Sequence, residues 1–99
     1  MARYDILPVS ITSGFLLNVQ SDLLEDLNTR VVVPLMPVKH APKSAEKLNP
    51  IFKIDGKRFV LATQFLSSVP HSVLETPVDN VGQHHEEIVA AIDMLTQGF

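Results

Sequence analysis

The sequence contains no cysteine, which excludes a disulfide framework, thiolate chemistry and a cysteine-based metal site. It also lacks any apolar run near the roughly 18 residues that cross a bilayer as a helix. Basic residues are few, since eight Lys and Arg stand against eleven Asp and Glu, for a net charge of −3. Nonspecific binding to nucleic acid through released counterions is therefore not expected of this chain alone.

What is present is the composition of a small globular domain. The 99 residues are 45% hydrophobic and 19% charged, well outside the range of disordered chains. We expect a single domain over residues 1–99 with one core. The first residues lack the basic segment and continuous apolar stretch of a signal peptide, and the absence of cysteine fits a reducing compartment. We therefore expect a cytoplasmic protein that does not enter a membrane.

Short apolar segments separated by Pro, Gly and small polar residues predict several β-strands. Three consecutive valines favour a strand at residues 30–35, because β-branched side chains suit a sheet better than a helix. The dipeptide Asp55-Gly56 is typical of a type I′ turn and predicts a hairpin. The remaining predicted strands are residues 4–9, residues 15–19, the hairpin arms 51–54 and 57–61, and one or two strands within residues 65–74. We expect the last of these to lie near a sheet edge, because Pro70 has no N–H to donate to a neighbouring strand.

Two segments predict helical structure of very different length. Residues 83–96 form the only long helix that the pattern indicates, because Ile88, Ala91 and Leu95 recur at helical spacing and Gly98 follows as a helix-ending residue. Residues 36–50 are rich in Pro and Lys and predict a solvated excursion with one helical turn at 44–48. Residues 23–27 predict either one helical turn or a wide loop. Short strands followed by one helix predict a mainly β, α+β fold with a barrel-like sheet.

No constellation of catalytic residues is evident. The chain contains no GxSxG, HExxH, P-loop or GxGxxG pattern. His84 and His85 are adjacent on the predicted helix, so their side chains diverge by about 100° and cannot share a metal. We interpret them as solvated residues at the helix start, with His84 and Glu87 as a possible i,i+3 pair, and Ser21-Asp22 as a turn or cap. We therefore expect no enzymatic activity, no metal and no cofactor.

Two features are open to two interpretations each. The predicted helix leads almost directly into Gly98 and Phe99, and the aromatic ring either packs on the chain's own core or anchors in a partner's pocket. Three lysines lie within residues 39–47. They either belong to a solvated loop or form a contact surface for an anionic partner.

Five segments resemble the CcdB family, the toxins of plasmid and chromosomal ccd toxin–antitoxin modules. In chain order the segments are NVQSDLL at 18–24, NTRVVVPL at 28–35, LNPI at 48–51, SVP at 68–70, and IVAAIDML at 88–95 closing in Gly98-Phe99. Their order, their spacing and the total length agree with that family. The likeness covers residue 15 to the end, and the first fourteen residues match only loosely.

The resemblance implies an SH3-like β-barrel with a small extra sheet and one C-terminal helix, assembled as a two-fold homodimer. It implies a toxin without catalytic activity that binds the A subunit of DNA gyrase and traps the cleaved-DNA complex. The family's gyrase-facing residues correspond to Leu23, Leu24, Asp93, Gln97, Gly98 and Phe99.

The resemblance also implies a CcdA-like antitoxin that binds through a disordered C-terminal segment. Its docking surface would include Lys39, His40, Lys43 and Lys47, which gives these residues an acidic-peptide role. Toxin and antitoxin together would repress their own operon, with the antitoxin contacting the operator DNA.

The chain departs from the family pattern on the same surface. Well-known members carry Trp where Gln97 stands, usually Ile in place of Phe99, and often Asn in place of Asp93. An amide cannot reproduce the cation–π contact that such a Trp makes with a gyrase arginine. One alternative is a non-toxic relative that keeps only antitoxin binding. A second is an mRNA endonuclease of the MazF or Kid type with the same barrel, against which residues 10–14 contain no Arg, Lys or His.

Overall fold

The computed structural model describes residues 1–9, 13–40 and 45–98. These parts of the chain form seven strands and one α-helix, joined by short 3-10 turns. The elements are β1 (Asp5–Pro8), β2 (Phe15–Asn18), β3 (Thr29–Pro37), β4 (Ile51–Ile54), β5 (Lys57–Leu61), β6 (Ser67–Pro70), β7 (Asp79–Asn80) and α1 (His85–Gln97).

The strands form one antiparallel sheet in the order β4-β5-β3-β2-β1-β7. The long strand β3 is central, because β2 pairs along one of its edges while β6 and β5 follow each other along the opposite edge. The sheet curls into an open half-barrel with α1 packed on it, which confirms the mainly β, barrel-like α+β prediction. The expected small extra sheet is a branch of the same sheet, since β6 pairs with β3 off the main path.

The hairpin formed by β4 and β5 confirms the turn prediction. Asp55 and Gly56 have φ values of 52° and 79°, which are the two positive values that a type I′ turn requires. Of the one or two strands predicted within residues 65–74, the structure has one, β6. Residues His71–Val73 form a 3-10 turn instead, in which the Leu74 N–H donates to the His71 carbonyl at 3.1 Å. The two-residue strand β7 was not predicted, since two polar residues carry no alternation to detect.

Alternating side chains build the core. In β4, Phe52 and Ile54 are buried while Ile51 and Lys53 face solvent. Helix α1 contributes Ile88 and Ala91, both fully buried, and each large apolar side chain buried in this way contributes about 1.5–3 kcal/mol. The core residues are Tyr4, Ile6, Leu17, Val19, Val33, Leu35, Phe52, Ile54, Phe59, Leu61, Val81, Ile88 and Ala91.

Two histidines hold the start of α1: His84 directly before the helix and His85 as its first residue. His84 stacks on Phe52 with ring centroids 4.7 Å apart, and its Nδ1 lies 2.9 Å from a Glu87 carboxylate oxygen, as the i,i+3 pairing predicts. His85 Nδ1 is hydrogen-bonded to the hydroxyl of Tyr4. His85 is exposed and His84 is half-buried, in line with the prediction of solvated residues at the helix start. The two contacts were not predicted, because both partners, Phe52 and Tyr4, are distant in sequence. Burial raises the pKa of Tyr4, and the neighbouring Arg3 charge partly opposes that shift.

Helix α1 has 13 residues. Across the described parts of the chain, no helix combines the length and the apolar character needed to cross a membrane.

Candidate functional site

A 3-10 turn over Asp22–Leu24 presents two leucines to solvent. Leu23 is 93% exposed and Leu24 is 49% exposed. The Ser21 hydroxyl accepts a hydrogen bond from the Leu23 N–H at 3.2 Å, which confirms the predicted cap. The Asp22 carboxylate accepts from the backbone N–H of Arg3 at 2.8 Å. Of the two structures predicted for this segment, the chain adopts a short helical turn.

Buried polar side chains hold this turn in place from behind. Arg30 is only 6% exposed, and its guanidinium donates to the carbonyl oxygens of Leu27, Thr29 and Glu25, the last at 2.7 Å. The amide of Gln20 donates to the Leu24 carbonyl at 3.0 Å, and its oxygen accepts from the Val31 N–H at 3.0 Å. The exposed leucines therefore stand on a fixed backbone.

Sequence reasoning missed these supporting roles of Arg30 and Gln20. Both residues lie inside the motifs quoted above, yet their partners are backbone carbonyl and N–H groups, which leave no mark in the sequence. The only available signal was a single Arg at the start of a valine-rich strand. That signal indicates nothing about where the guanidinium points.

The end of α1 carries the second group of predicted residues. The Gln97 amide donates to the Asp93 carboxylate at 3.4 Å. Gly98 has φ 83°, and its N–H donates to the carbonyls of Asp93 at 3.2 Å and Met94 at 3.1 Å. This left-handed residue closes the helix as predicted. Phe99 lies outside the described residues, so neither predicted environment for its ring is described.

The predicted gyrase-facing residues thus fall into two local groups. Leu23 and Leu24 share one turn, and Asp93, Gln97 and Gly98 share one helix end. No hydrogen bond between described residues joins the turn to the helix end.

The predicted antitoxin-binding residues flank the excursion between β3 and β4. Lys39 is exposed in the 3-10 turn Val38–His40, and Lys47 is exposed in a second turn. That second turn, predicted as one helical turn, is closed by buried Asn49, whose N–H donates to the Ala45 carbonyl at 2.7 Å. The Asn49 side chain also donates to the Leu61 carbonyl at 3.0 Å. Lys43 and the side chain of His40 lie outside the described residues.

The described titratable side chains do not converge on one point. In residues 1–9, 13–40 and 45–98, no group of three or more His, Cys, Asp or Glu residues could hold a metal ion. His84 and His85 contact different partners, Glu87 and Tyr4. Every buried side-chain nitrogen or oxygen of the described chain has a hydrogen-bond partner, so no unsatisfied buried group marks a ligand site there.

The architecture defines a small, mainly β, barrel-like protein with one helix packed on a curled sheet. The model of the CcdB protein family matches residues 4–98, and the chain therefore belongs to the CcdB family. Members of this family are toxins of toxin–antitoxin modules that poison DNA gyrase. The match begins at residue 4, so it includes the N-terminal segment in which the motifs agree only loosely. Among curated proteins, no sequence match was found.

Proposed function

We propose that this chain is the toxin of a type II toxin–antitoxin module, that it binds the A subunit of DNA gyrase, and that it traps the cleaved-DNA complex. The observation that carries the proposal is the family match over residues 4–98, nearly the whole chain. A toxin of this kind acts by binding, so it needs exposed contact residues on a rigid support and no catalytic group.

The two local surfaces described above meet that need. Leu23 and Leu24 offer apolar area on a turn that buried Arg30 holds in place. Asp93 and Gln97 offer polar contacts at a helix end that Gly98 terminates. In the proposed homodimer the two-fold axis presents each surface twice, and two linked contacts strengthen binding beyond a single copy.

We further propose that a CcdA-like antitoxin neutralises the toxin and that the complex represses its own operon, with the antitoxin contacting the operator. The exposed Lys39 and Lys47 support an acidic antitoxin segment on this side of the molecule. The toxin's own net charge of −3 supports leaving the DNA contact to the antitoxin.

Gln97 sets the expected strength of poisoning. A Trp over an arginine supplies about 0.5–2 kcal/mol through the cation–π contact, and the exposed Gln97 amide supplies none of it. We therefore expect poisoning about 2- to 30-fold weaker per copy than that of a Trp-bearing variant. If gyrase binding is lost entirely, the chain is the non-toxic relative.

The test is a gyrase cleavage assay with supercoiled plasmid, ATP and purified protein. Three proteins are compared: the full chain, Gln97→Trp, and a variant ending at Thr96. We expect linear DNA to accumulate with the full chain, to increase with Gln97→Trp and to disappear with the shortened variant. Thr96→Ala serves as the matched control, because its hydroxyl bonds only to the Ile92 carbonyl of its own helix.

Other outcomes assign the chain elsewhere. Activity in Gln97→Trp alone identifies an attenuated toxin with the right scaffold. Silence from every variant, with defined cleavage of a long RNA by the full chain, identifies the endonuclease alternative and overturns the proposal.

A further inference from the structure

A polar cavity of about 590 Å³ opens beside the turn that carries Leu23 and Leu24. One wall is the chain that leaves this turn, and the other is the end of β6 with the 3-10 turn that follows it. The lining comprises residues 25 and 27–30 on the first side and residues 70–72 on the second. We call this feature the Arg30 cavity, after the residue of its lining that is buried.

Backbone hydrogen bonds hold the two walls of the Arg30 cavity together. Strands β3 and β6 pair antiparallel, with Thr29 opposite Pro70 at the edge of the cavity. Beyond this last pair, the His71 N–H donates to the Asn28 carbonyl at 2.8 Å. The cavity is therefore a fixed feature of the folded chain, because each wall is tied to the other on both sides of its mouth.

The guanidinium of Arg30 has donors to spare. It carries five N–H groups, and the three hydrogen bonds to carbonyl oxygens described above use Nη1 twice and Nη2 once. Among the hydrogen bonds of the described residues, none uses Nε–H. Every fully buried side-chain nitrogen in that part of the chain has a partner, so Nε–H is open to solvent.

The charge of Arg30 has no carboxylate partner within the described chain. Across residues 1–9, 13–40 and 45–98, no carboxylate oxygen lies within 4.0 Å of its nitrogens. Glu25 lines the same cavity, but it is exposed and forms no ion pair there. Charges that are 94% buried are usually paired. The carbonyl oxygens supply only partial negative charge, so the guanidinium keeps a net positive charge beside open space.

The chemistry of the free donors favours a carboxylate as the ligand. Nε and Nη2 lie on one edge of the guanidinium, the edge through which arginine binds a carboxylate or a phosphate by two parallel hydrogen bonds. The exposed Glu25 carboxylate in the lining repels each further negative charge. A singly charged carboxylate therefore fits the Arg30 cavity better than a doubly charged phosphate.

The Arg30 cavity is continuous with the turn proposed to face gyrase. Leu27 lines the cavity and is 51% exposed, and its N–H donates to the Leu24 carbonyl at 3.1 Å. The Glu25 N–H likewise donates to the Asp22 carbonyl at 3.2 Å. A partner that covers Leu23 and Leu24 therefore stands at the mouth of the cavity, with exposed Leu27 as an apolar rim.

We propose that the Arg30 cavity receives the carboxylate of an Asp or Glu side chain from the A subunit of gyrase. Its two oxygens accept from Nε–H and from the remaining Nη2–H of Arg30, while apolar surface of the partner covers Leu27. This inference rests on the proposed function and adds a charged contact to the apolar contacts of Leu23 and Leu24. Arg30 then both holds the turn and binds the partner.

The cavity is tested first on the free protein with acetate, the simplest carboxylate probe. The NMR resonances of the arginine Nε–H groups report on the site directly, because the chain has only three arginines. Two of them are internal controls: Arg3 Nε–H already donates to the Val19 carbonyl at 3.2 Å, and Arg58 is exposed in β5. We expect sodium acetate to shift the Arg30 resonance in a saturable manner. Sodium chloride at equal ionic strength should not, and equal shifts with both salts, or no shift at Arg30, would refute a carboxylate site.

Two pairs of variants then change the charge of the Arg30 cavity in opposite directions. Ser72→Glu adds a carboxylate to the lining, and Thr76→Glu is the control of equal charge outside it. Glu25→Gln removes a negative charge from the lining, and Asp26→Asn is its control at the neighbouring position. All four residues are exposed, so the substitutions should spare the fold. Thermal unfolding checks this, and if one lining variant fails to fold, the other pair decides.

The readout is the affinity for the isolated gyrase A subunit. We expect Ser72→Glu to bind about tenfold more weakly, because the added carboxylate competes for Arg30. Glu25→Gln should bind about threefold more tightly, because it no longer repels the incoming carboxylate. Each control should stay within about twofold of the full chain, as exposed charges outside an interface usually do. Ser72→Gln has the size of glutamate without its charge, and it should also stay within about twofold.

The outcomes separate this inference from the proposed function. If the full chain binds gyrase A and the lining variants behave like their controls, the carboxylate contact is refuted while gyrase binding stands. Equal weakening by Ser72→Glu and Ser72→Gln also refutes it, because the size of the side chain then explains the effect. If the full chain does not bind gyrase A while acetate still saturates the Arg30 resonance, the proposed function falls and the gyrase carboxylate falls with it.

Discussion

Replacing Leu23 by Ala removes three carbon atoms from a side chain that is 93% exposed in the protomer. The fold therefore loses almost no buried area, and the free energy of unfolding should change by no more than about 0.5 kcal/mol. A bound gyrase subunit, by contrast, would cover those atoms. At about 0.8 kcal/mol for each buried carbon, the loss is about 2.4 kcal/mol per copy, or roughly a 60-fold weaker affinity.

The assay has two readouts on the same preparations. Binding to the isolated gyrase A subunit gives the affinity, and urea unfolding gives the stability. Val73→Ala is the matched control, because Val73 also lies in a 3-10 turn and is 64% exposed, yet it belongs to neither predicted surface. We expect it to change neither quantity.

Three results would refute the reasoning. Unchanged affinity in Leu23→Ala would show that gyrase does not bury this side chain. A large loss of stability would show that Leu23 is not free in the folded protein. Dissociation of a homodimer on gel filtration, with poisoning lost only through that dissociation, would assign Leu23 to the contact between protomers.

Three further predictions follow from other parts of the structure. Arg30→Met leaves the carbonyls of Glu25, Leu27 and Thr29 without their donor. We therefore expect the free energy of unfolding, measured in urea, to fall by about 2–4 kcal/mol and the amides of residues 22–27 to exchange faster. Normal amide protection there would contradict the role of Arg30 in holding the turn. In Gly98→Ala the added Cβ has no other atom within 4 Å, but alanine is strained at φ 83°. We expect the free energy of unfolding to fall by about 1 kcal/mol through backbone strain alone, and gyrase cleavage to decrease. An unchanged melting temperature would contradict the left-handed conformation of Gly98. Because burial raises the pKa of Tyr4 in the folded state, the stability that its neutral hydroxyl provides is complete below the usual tyrosine pKa of about 10 and is lost as the pH rises through the higher folded value. Tyr4 is the only tyrosine, so tyrosinate absorbance measures its titration directly. Tyr4→Phe should abolish this loss of stability at alkaline pH and should lower the free energy of unfolding by about 0.5–1.5 kcal/mol at neutral pH. An equal loss of stability at alkaline pH in the variant would refute the assignment to Tyr4.

The features that sequence reasoning predicted best are those that neighbouring residues determine. The type I′ turn follows from Asp55-Gly56 alone, and the end of α1 follows from Gly98. The valine run predicts the strand β3, because β-branched side chains suit a sheet better than a helix. Each signal lies within a few residues of the structure that it specifies.

The features that sequence reasoning missed depend on partners distant in the chain. Tyr4 was predicted inside a strand but has φ 71°, a value that bulky residues rarely adopt. Its N–H donates to the Asn18 carbonyl at 2.6 Å and its carbonyl accepts from the Val81 N–H at 3.0 Å, and no local pattern reveals either bond.

The hydrogen bond from Tyr4 to His85 spans 81 positions of the chain, and this separation has a consequence for timing during synthesis. At 5–20 residues per second, about 4–16 s pass between the appearance of the two residues. The hydrogen bonds at the turn that carries Leu23 involve Arg3, Gln20, Ser21 and Arg30, all within the first 30 residues. Helix α1 is synthesised last, and only then can His85 contact Tyr4. A newly made chain therefore passes through an interval of seconds in which one of the two surfaces proposed to face gyrase has been synthesised and the other has not.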